Sequence, residues 1–280
     1  MYIYIVLMIF ILFIIYIIYI IRQKNILDIK NENIYFMSAD ETESYLKNDI
    51  DNYVKNLTAL DLYARNVANH NEYIDKIILT AISFTPDEKR ILIKCANNAD
   101  DFFRTTKFEG LSYSHYLNGN DIADIKWNFA YTYKNDRKEY EEGLPHTRDN
   151  IIFLSKYVMK YDEHNLTNTL IHEKIHIYQR NNSMLFAKIL SHMNYITLDI
   201  EKQPYKKYIR SNPDTDGKVY YDILTNKELV CIYRSDKPAS INDIIIKNYS
   251  LEHPYEKIAY DIANHYYRTY PANTDKYIKL

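Results

Sequence analysis

Residues 2–21 form an unbroken run with no charged side chain, made almost wholly of Ile, Leu, Val, Phe and Tyr. A soluble helix of that length would show a polar face, and this run has none. At roughly 1.5 Å per residue it would reach about 30 Å, the hydrocarbon thickness of a bilayer. A secretory signal would need a basic stretch before it, a shorter apolar core and a small-residue cleavage site, and none of these is visible. The run therefore predicts a retained, single-pass N-terminal membrane anchor. Arg22 and Lys24 follow it directly while only the α-amino group precedes it, so the positive-inside bias predicts that the remainder faces the cytoplasm.

The remainder of the 280 residues is long enough for one sizeable domain or two small ones. Its 35 Lys and Arg are balanced by 37 Asp and Glu, so no basic field exists to gather nucleic acid by counterion release, and no nucleic-acid partner is expected. Cys95 and Cys231 stand far apart without CxxC spacing, which removes both a disulfide framework and a thiolate metal site. Any metal must be held by His and carboxylates.

Residues 22–37 are polar and Asn-rich and read as a linker. From 38 to about 110, apolar residues recur at helical spacing, as at Ile50, Val54, Leu57 and the stretch Asp61-Leu62-Tyr63-Ala64-Arg65, predicting three or four helices. The clearest start is Thr85-Pro86-Asp87-Glu88, with Thr85 as cap, Pro86 in the first turn and Glu88 closing a capping box; that helix is expected to run to about Phe103. Between 111 and 280 the pattern changes. Residues 127–133 alternate at period two, and Asn150-Ile151-Ile152-Phe153-Leu154 reads as a second strand of the same sheet. Residues 184–198 read as helical, 211–217 as a turn, 219–224 and 230–233 as strands, and about 254–267 as a last helix.

Chemistry concentrates in His172-Glu173-Lys174-Ile175-His176. On a helix, positions i and i+4 stand one above the other, so His172 and His176 can direct imidazole nitrogens at one point, two ligands of a tetrahedral Zn2+. Glu173, about 100° further around the axis, reaches past that point to where an attacking water would sit and can serve as general base. Leu166, Leu170, Ile171, Ile175 and Ile177 supply packing, Asn165 or Asp162 can cap the start, and Asn181-Asn182 can stop the helix. The sequons Asn165-Leu166-Thr167 and Asn181-Asn182-Ser183 bracket this helix, and glycans there would obstruct a cleft, which again favours a cytosol-like compartment. The strand just upstream is a candidate edge for an extended peptide substrate. The competing readings are two surface histidines and, for the helix that begins near Pro254, a solvated carboxylate at Glu256 favoured by the helix dipole.

The motif resembles that of the zincin (HExxH) zinc metallopeptidases. The extended HExxHxxGxxH form is absent, because Ile177-Tyr178-Gln179-Arg180-Asn181-Asn182 follows His176. Glu256-Lys257-Ile258-Ala259-Tyr260 resembles the Glu-x-x-Ala/Ser segment by which the Glu-zincin branch supplies a third ligand from a second helix, at a separation from His176 that is long for that branch. The resemblance thus implies metal ligands His172, His176 and Glu256, general base Glu173, a Zn2+ cofactor and a protein or peptide substrate. Glu252 and His253 compete with Glu256, but Pro254 is expected to start the helix after them. In such sites a Tyr or His stabilises the oxyanion, and Tyr260, His265, Tyr266 and Tyr267 are all open for that role. His146 and Arg148, in the loop before the strand, line the cleft or stabilise the loop, and His115, His164 and His192 are expected to be structural. The segments Asp61–Arg65, Leu144–Arg148 and Arg210–Asp214 also resemble uncharacterised zincin-like proteins of large DNA viruses, which would put the anchor in a host or virion membrane. The fold implied is α+β: a zincin-like domain with a helical N-terminal half, tethered by one transmembrane helix. The rival from another class is a catalytically inactive, membrane-anchored structural or interaction protein.

Overall fold

The computed structural model describes residues 12–14, 16–17, 32–133, 140–247 and 252–270. Most of the expected anchor and most of the expected linker fall outside the described residues, and among the described residues no helix is long and apolar enough to cross a membrane.

Trp127, Phe129 and Tyr131 point one way from β3 (Trp127–Thr132) into a large apolar core, while Ala130 points the other way into a second one. A strand buried on both faces belongs inside a sheet. β3 pairs in parallel with β1 (Ile34–Phe36) on one side and with β5 (Ile151–Ser155) on the other, and β2 (Ala81–Ile82) pairs antiparallel with the end of β3. β4 (His146–Arg148) pairs antiparallel with β5 and forms the far edge. Helices cover both faces. Tyr45 and Leu46 of α1 (Ala39–Asn48) and Tyr73 and Ile77 of α3 (His70–Ile78) pack with Ile151 and Phe153 on one face; a shorter helix, α2 (Ala59–Ala64), lies between them in sequence. On the other, α4 (Pro86–Thr105), the short α5 (Gly119–Ala123), α6 (Glu163–Asn181), α7 (Ser183–His192) and α8 (Pro254–Thr269) share the core of Trp127, Phe129, Ile152 and Leu154. That single core joins residues on both sides of position 110. A three-stranded sheet of β6 (Tyr195–Leu198), β7 (Val219–Asp222) and β8 (Lys227–Leu229), and a ribbon of β9 (Cys231–Tyr233) with β10 (Ile244–Ile246), complete a mixed helix-and-sheet fold.

The local signals at α4 hold: Thr85 caps, Pro86 opens the helix and Glu88 closes the capping box. Elsewhere the structure departs from expectation for identifiable reasons. Ile50 is exposed in a turn, not on a helix, because Asp49 adopts a left-handed conformation (φ 44°) and its carboxylate accepts the N–H groups of Val54 and Lys55. The end of the expected linker becomes β1 once Trp127–Phe129 offers it a partner. Residues 195–198 pair with β7 instead of extending a helix, the turn being made by Asn194 at φ 63°. His146 and Arg148 lie in the edge strand, not a loop, and the strand expected to offer its edge to substrate, β5, is enclosed between β3 and β4.

Candidate metal centre

α6 begins where Asp162 accepts the backbone N–H of Asn165 and ends at Asn181, so five turns of helix carry the motif into the core. The helix has no solvent-facing stripe there. Lys174, at the back of the motif, is fully buried: its ammonium donates to Asp100 Oδ1 at 2.6 Å and to the Ala123 carbonyl at 2.9 Å and lies 4.1 Å over the Trp127 ring. Asp100 also accepts from Trp127 Nε1 at 3.0 Å, so α6 is fastened to β3 and α4 behind the site.

On the front face His172 Nε2 and His176 Nε2 approach to 3.0 Å. α8 brings Glu256 opposite them, with Oε2 at 3.3 Å from His172 Nε2 and 3.6 Å from His176 Nε2. Zinc bonds of about 2.0 Å at tetrahedral angles separate ligand atoms by roughly 3.3 Å, and the three observed separations straddle that value. The donor set, two imidazole nitrogens and one carboxylate oxygen with a fourth direction left to the cleft, suits zinc better than the all-oxygen shells of calcium or magnesium.

Supporting contacts aim each donor. Gln179 Oε1 takes the Nδ1–H of His176 at 2.9 Å, which turns Nε2 toward the shared point, and Gln179 Nε2 donates to the Tyr255 carbonyl at 2.9 Å. Asn212 Nδ2 donates to Glu256 Oε1 at 3.0 Å, leaving Oε2 for the shared point. Neither residue stood out in the sequence, although Gln179, polar and one turn past His176 in an apolar helix, carried a readable signal.

The charges are tightly linked. Burial would depress the His176 imidazole, but the carboxylates of Glu256 and Asp214 outweigh it and hold it up at about 9. Burial would raise Glu256, yet His176 and His172 keep its carboxyl well below the usual range. Glu173 is buried with Oε2 unpaired, and burial, reinforced by Asp214 and Glu256, pushes its carboxyl well above the ordinary value. A cleft of about 370 Å³ faces these groups, lined among others by Glu141, His146, Asn168, Asp214 and Tyr260.

The competing ligands are engaged elsewhere. Glu252 accepts from Arg210 at 2.8 and 2.7 Å and from Asn212, while His253 caps α8 through the Tyr255 N–H and faces Asp216 at 3.1 Å. Of the four oxyanion candidates, Tyr260 lines the cleft with its ring 4.5 Å from that of His172. His265 packs against Phe102 and Phe108, and Tyr266 and Tyr267 against His164. Arg148 is buried away from the cleft, pairing with Asp49 and Asp51, whereas His146 stacks on Phe153 at the cleft wall. The chain matches no protein-family model, no curated protein and no solved structure.

Proposed function

We propose that the chain is a membrane-tethered zinc metallopeptidase with an α+β, zincin-like catalytic domain. The observation that carries this reading is the convergence of His172 Nε2, His176 Nε2 and Glu256 Oε2 within 3.0–3.6 Å, with the buried Glu173 beside them, its Oε2 unpaired. A zinc ion held by those atoms supplies Lewis acidity, which acidifies water and polarises a carbonyl. Glu173 accepts the proton of the attacking water and returns it to the leaving amine. Tyr260, its ring 4.5 Å from that of His172 at the cleft, would donate its hydroxyl proton to the carbonyl oxygen as charge develops there. Gln179 and Asn212 hold His176 and Glu256 in register. The apolar run 2–21 tethers this site beside a membrane, which makes a membrane-proximal protein or peptide the substrate.

Metal content of the purified full-length chain tests the first step: one zinc per chain is expected, and its absence would leave a non-catalytic, membrane-anchored interaction protein as the reading. Glu173→Gln should then keep the zinc and lose cleavage by roughly a hundredfold or more. Undiminished cleavage would remove Glu173 as the base.

A further inference from the structure

Peptide recognition at a sheet edge requires outward-pointing N–H and C=O groups that are free to pair. On β4, Thr147 has that orientation, and by the alternation of an antiparallel ladder so has Pro145. Neither offers a free N–H to a substrate strand. Pro145 has no N–H. The Thr147 N–H donates to Asp214 Oδ1 at 2.6 Å, and its hydroxyl donates to the same oxygen at 2.7 Å. Arg180 covers the acceptors: its Nη2 lies 3.4 Å from the Thr147 carbonyl and 3.0 Å from that of Pro213, and its Nη1 donates to the Asp149 carbonyl. A carboxylate and a guanidinium thus satisfy Thr147 as a paired strand would.

The loop that brings Asp214 there is fastened along its length. Arg210 pairs with Glu252, the Ser211 N–H and hydroxyl donate to Asp61 at 3.0 and 2.8 Å, Asn212 bonds Glu252 and Glu256, and Pro213 is held by Arg180. The same loop faces Leu144–His146 across the metal cleft. What is left is a cavity of about 370 Å³, near the lower end of the roughly 300–1,000 Å³ typical of small-ligand sites.

Resting on the peptidase reading above, we infer that this site takes its peptide as a short chain or by a chain end, and not as an extended strand laid along β4. Asp214 is the specificity-determining residue.

The test uses the full-length, zinc-loaded chain and two substrates, a set of short peptides with free ends and a long unfolded polypeptide such as casein, with products identified by mass spectrometry. The expected result is cleavage of the short peptides and trimming of casein from its ends, with internal bonds cut at least about tenfold more slowly. Asp214→Ala, which frees the Thr147 N–H, should raise internal cleavage about tenfold, equivalent to about 1.4 kcal/mol, the scale of one backbone hydrogen bond. The wild-type pattern decides the matter even if that variant does not fold. Binding gives a second readout: zinc-loaded Glu173→Gln should bind a labelled short peptide at least about tenfold more tightly than the same residues embedded in a longer, end-blocked chain. Internal cleavage of casein by the wild type at the rate of the short peptides, or equal binding of the two labelled chains, overturns the inference and leaves the peptidase reading standing. A zinc-loaded chain that cleaves no peptide of either kind overturns the peptidase reading itself.

Discussion

Gln179 offers the sharpest separation of metal-site design from ordinary packing. It is buried, and its amide makes two bonds of 2.9 Å, accepting from His176 Nδ1 and donating to the carbonyl of Tyr255, the residue before Glu256. Gln179→Leu removes both while keeping much of the volume. Each of the two orphaned buried partners costs about 1–3 kcal/mol, so the metal-free protein should lose roughly 2–6 kcal/mol of stability. The metal should suffer separately, because an imidazole released from its orienting acceptor binds zinc about 10–100-fold more weakly, or about 1.4–2.7 kcal/mol. Competition with a chromophoric chelator measures the zinc affinity, and denaturant titration of the metal-free chain measures the stability. Gln179→Glu restores the acceptor for Nδ1 but not the donor to Tyr255, so it should recover zinc affinity to within a few-fold while stability stays low. If Gln179→Leu binds zinc within about threefold of wild type, the residue only braces α6 against α8 and the orienting role is wrong.

Two further outcomes follow from the buried charges. Burial raises the phenols of Tyr53 and Tyr73 well above 10.0, so the native state keeps protons that the unfolded chain gives up; their stabilisation is complete below about pH 10 and is lost above it, approaching 1.4 kcal/mol per pH unit per tyrosine. Lys174 has the opposite sign: burial lowers its ammonium from 10.5 to about 8, so stability rises over that window as the unfolded chain alone holds the proton. Denaturation midpoints should therefore climb gently above about pH 8 and fall steeply beyond about pH 10, and a flat profile through pH 11 would contradict the burial of these groups. Asp61, fully buried, accepts from Thr58 N–H and hydroxyl, Ser211 N–H and hydroxyl, and the Tyr233 hydroxyl. Asp61→Ala should cost about 3–5 kcal/mol in denaturant titration and weaken zinc binding by loosening the loop that carries Asn212, whereas a loss under about 1 kcal/mol would refute the anchoring role.

The parts of this fold that were legible beforehand are those written locally. The Thr85 capping box, the strand from Trp127, the turn from α6 at Asn181 and the start of α8 at Pro254 each depend on neighbours within a few residues. The pair His172 and His176 was legible for the same reason, since one helix carries both. Glu256 needed a second helix, and its choice over Glu252 and His253 is decided by partners remote in sequence, Arg210 and Asp216. β1 and β4 are three residues each, too short for any period, and exist because β3 and β5 offer them ladders. Asp214 was invisible as a specificity element because its effect requires Thr147 to stand at an edge.

The burial of Lys174 has a consequence for how variation in this region is to be interpreted. Every position from His172 to His176 is committed, three to the candidate metal site and two, Lys174 and Ile175, to the interior behind it. A deep mutational profile across these five codons would contain no tolerant column, yet the intolerance has two origins. Changes at Lys174 or Ile175 should deplete the protein itself, while on the proposed reading conservative changes at His172, Glu173 or His176 should leave its abundance near normal and silence it. A uniform block of intolerant positions around a metal motif is therefore a composite signal, and only abundance measured alongside activity divides it.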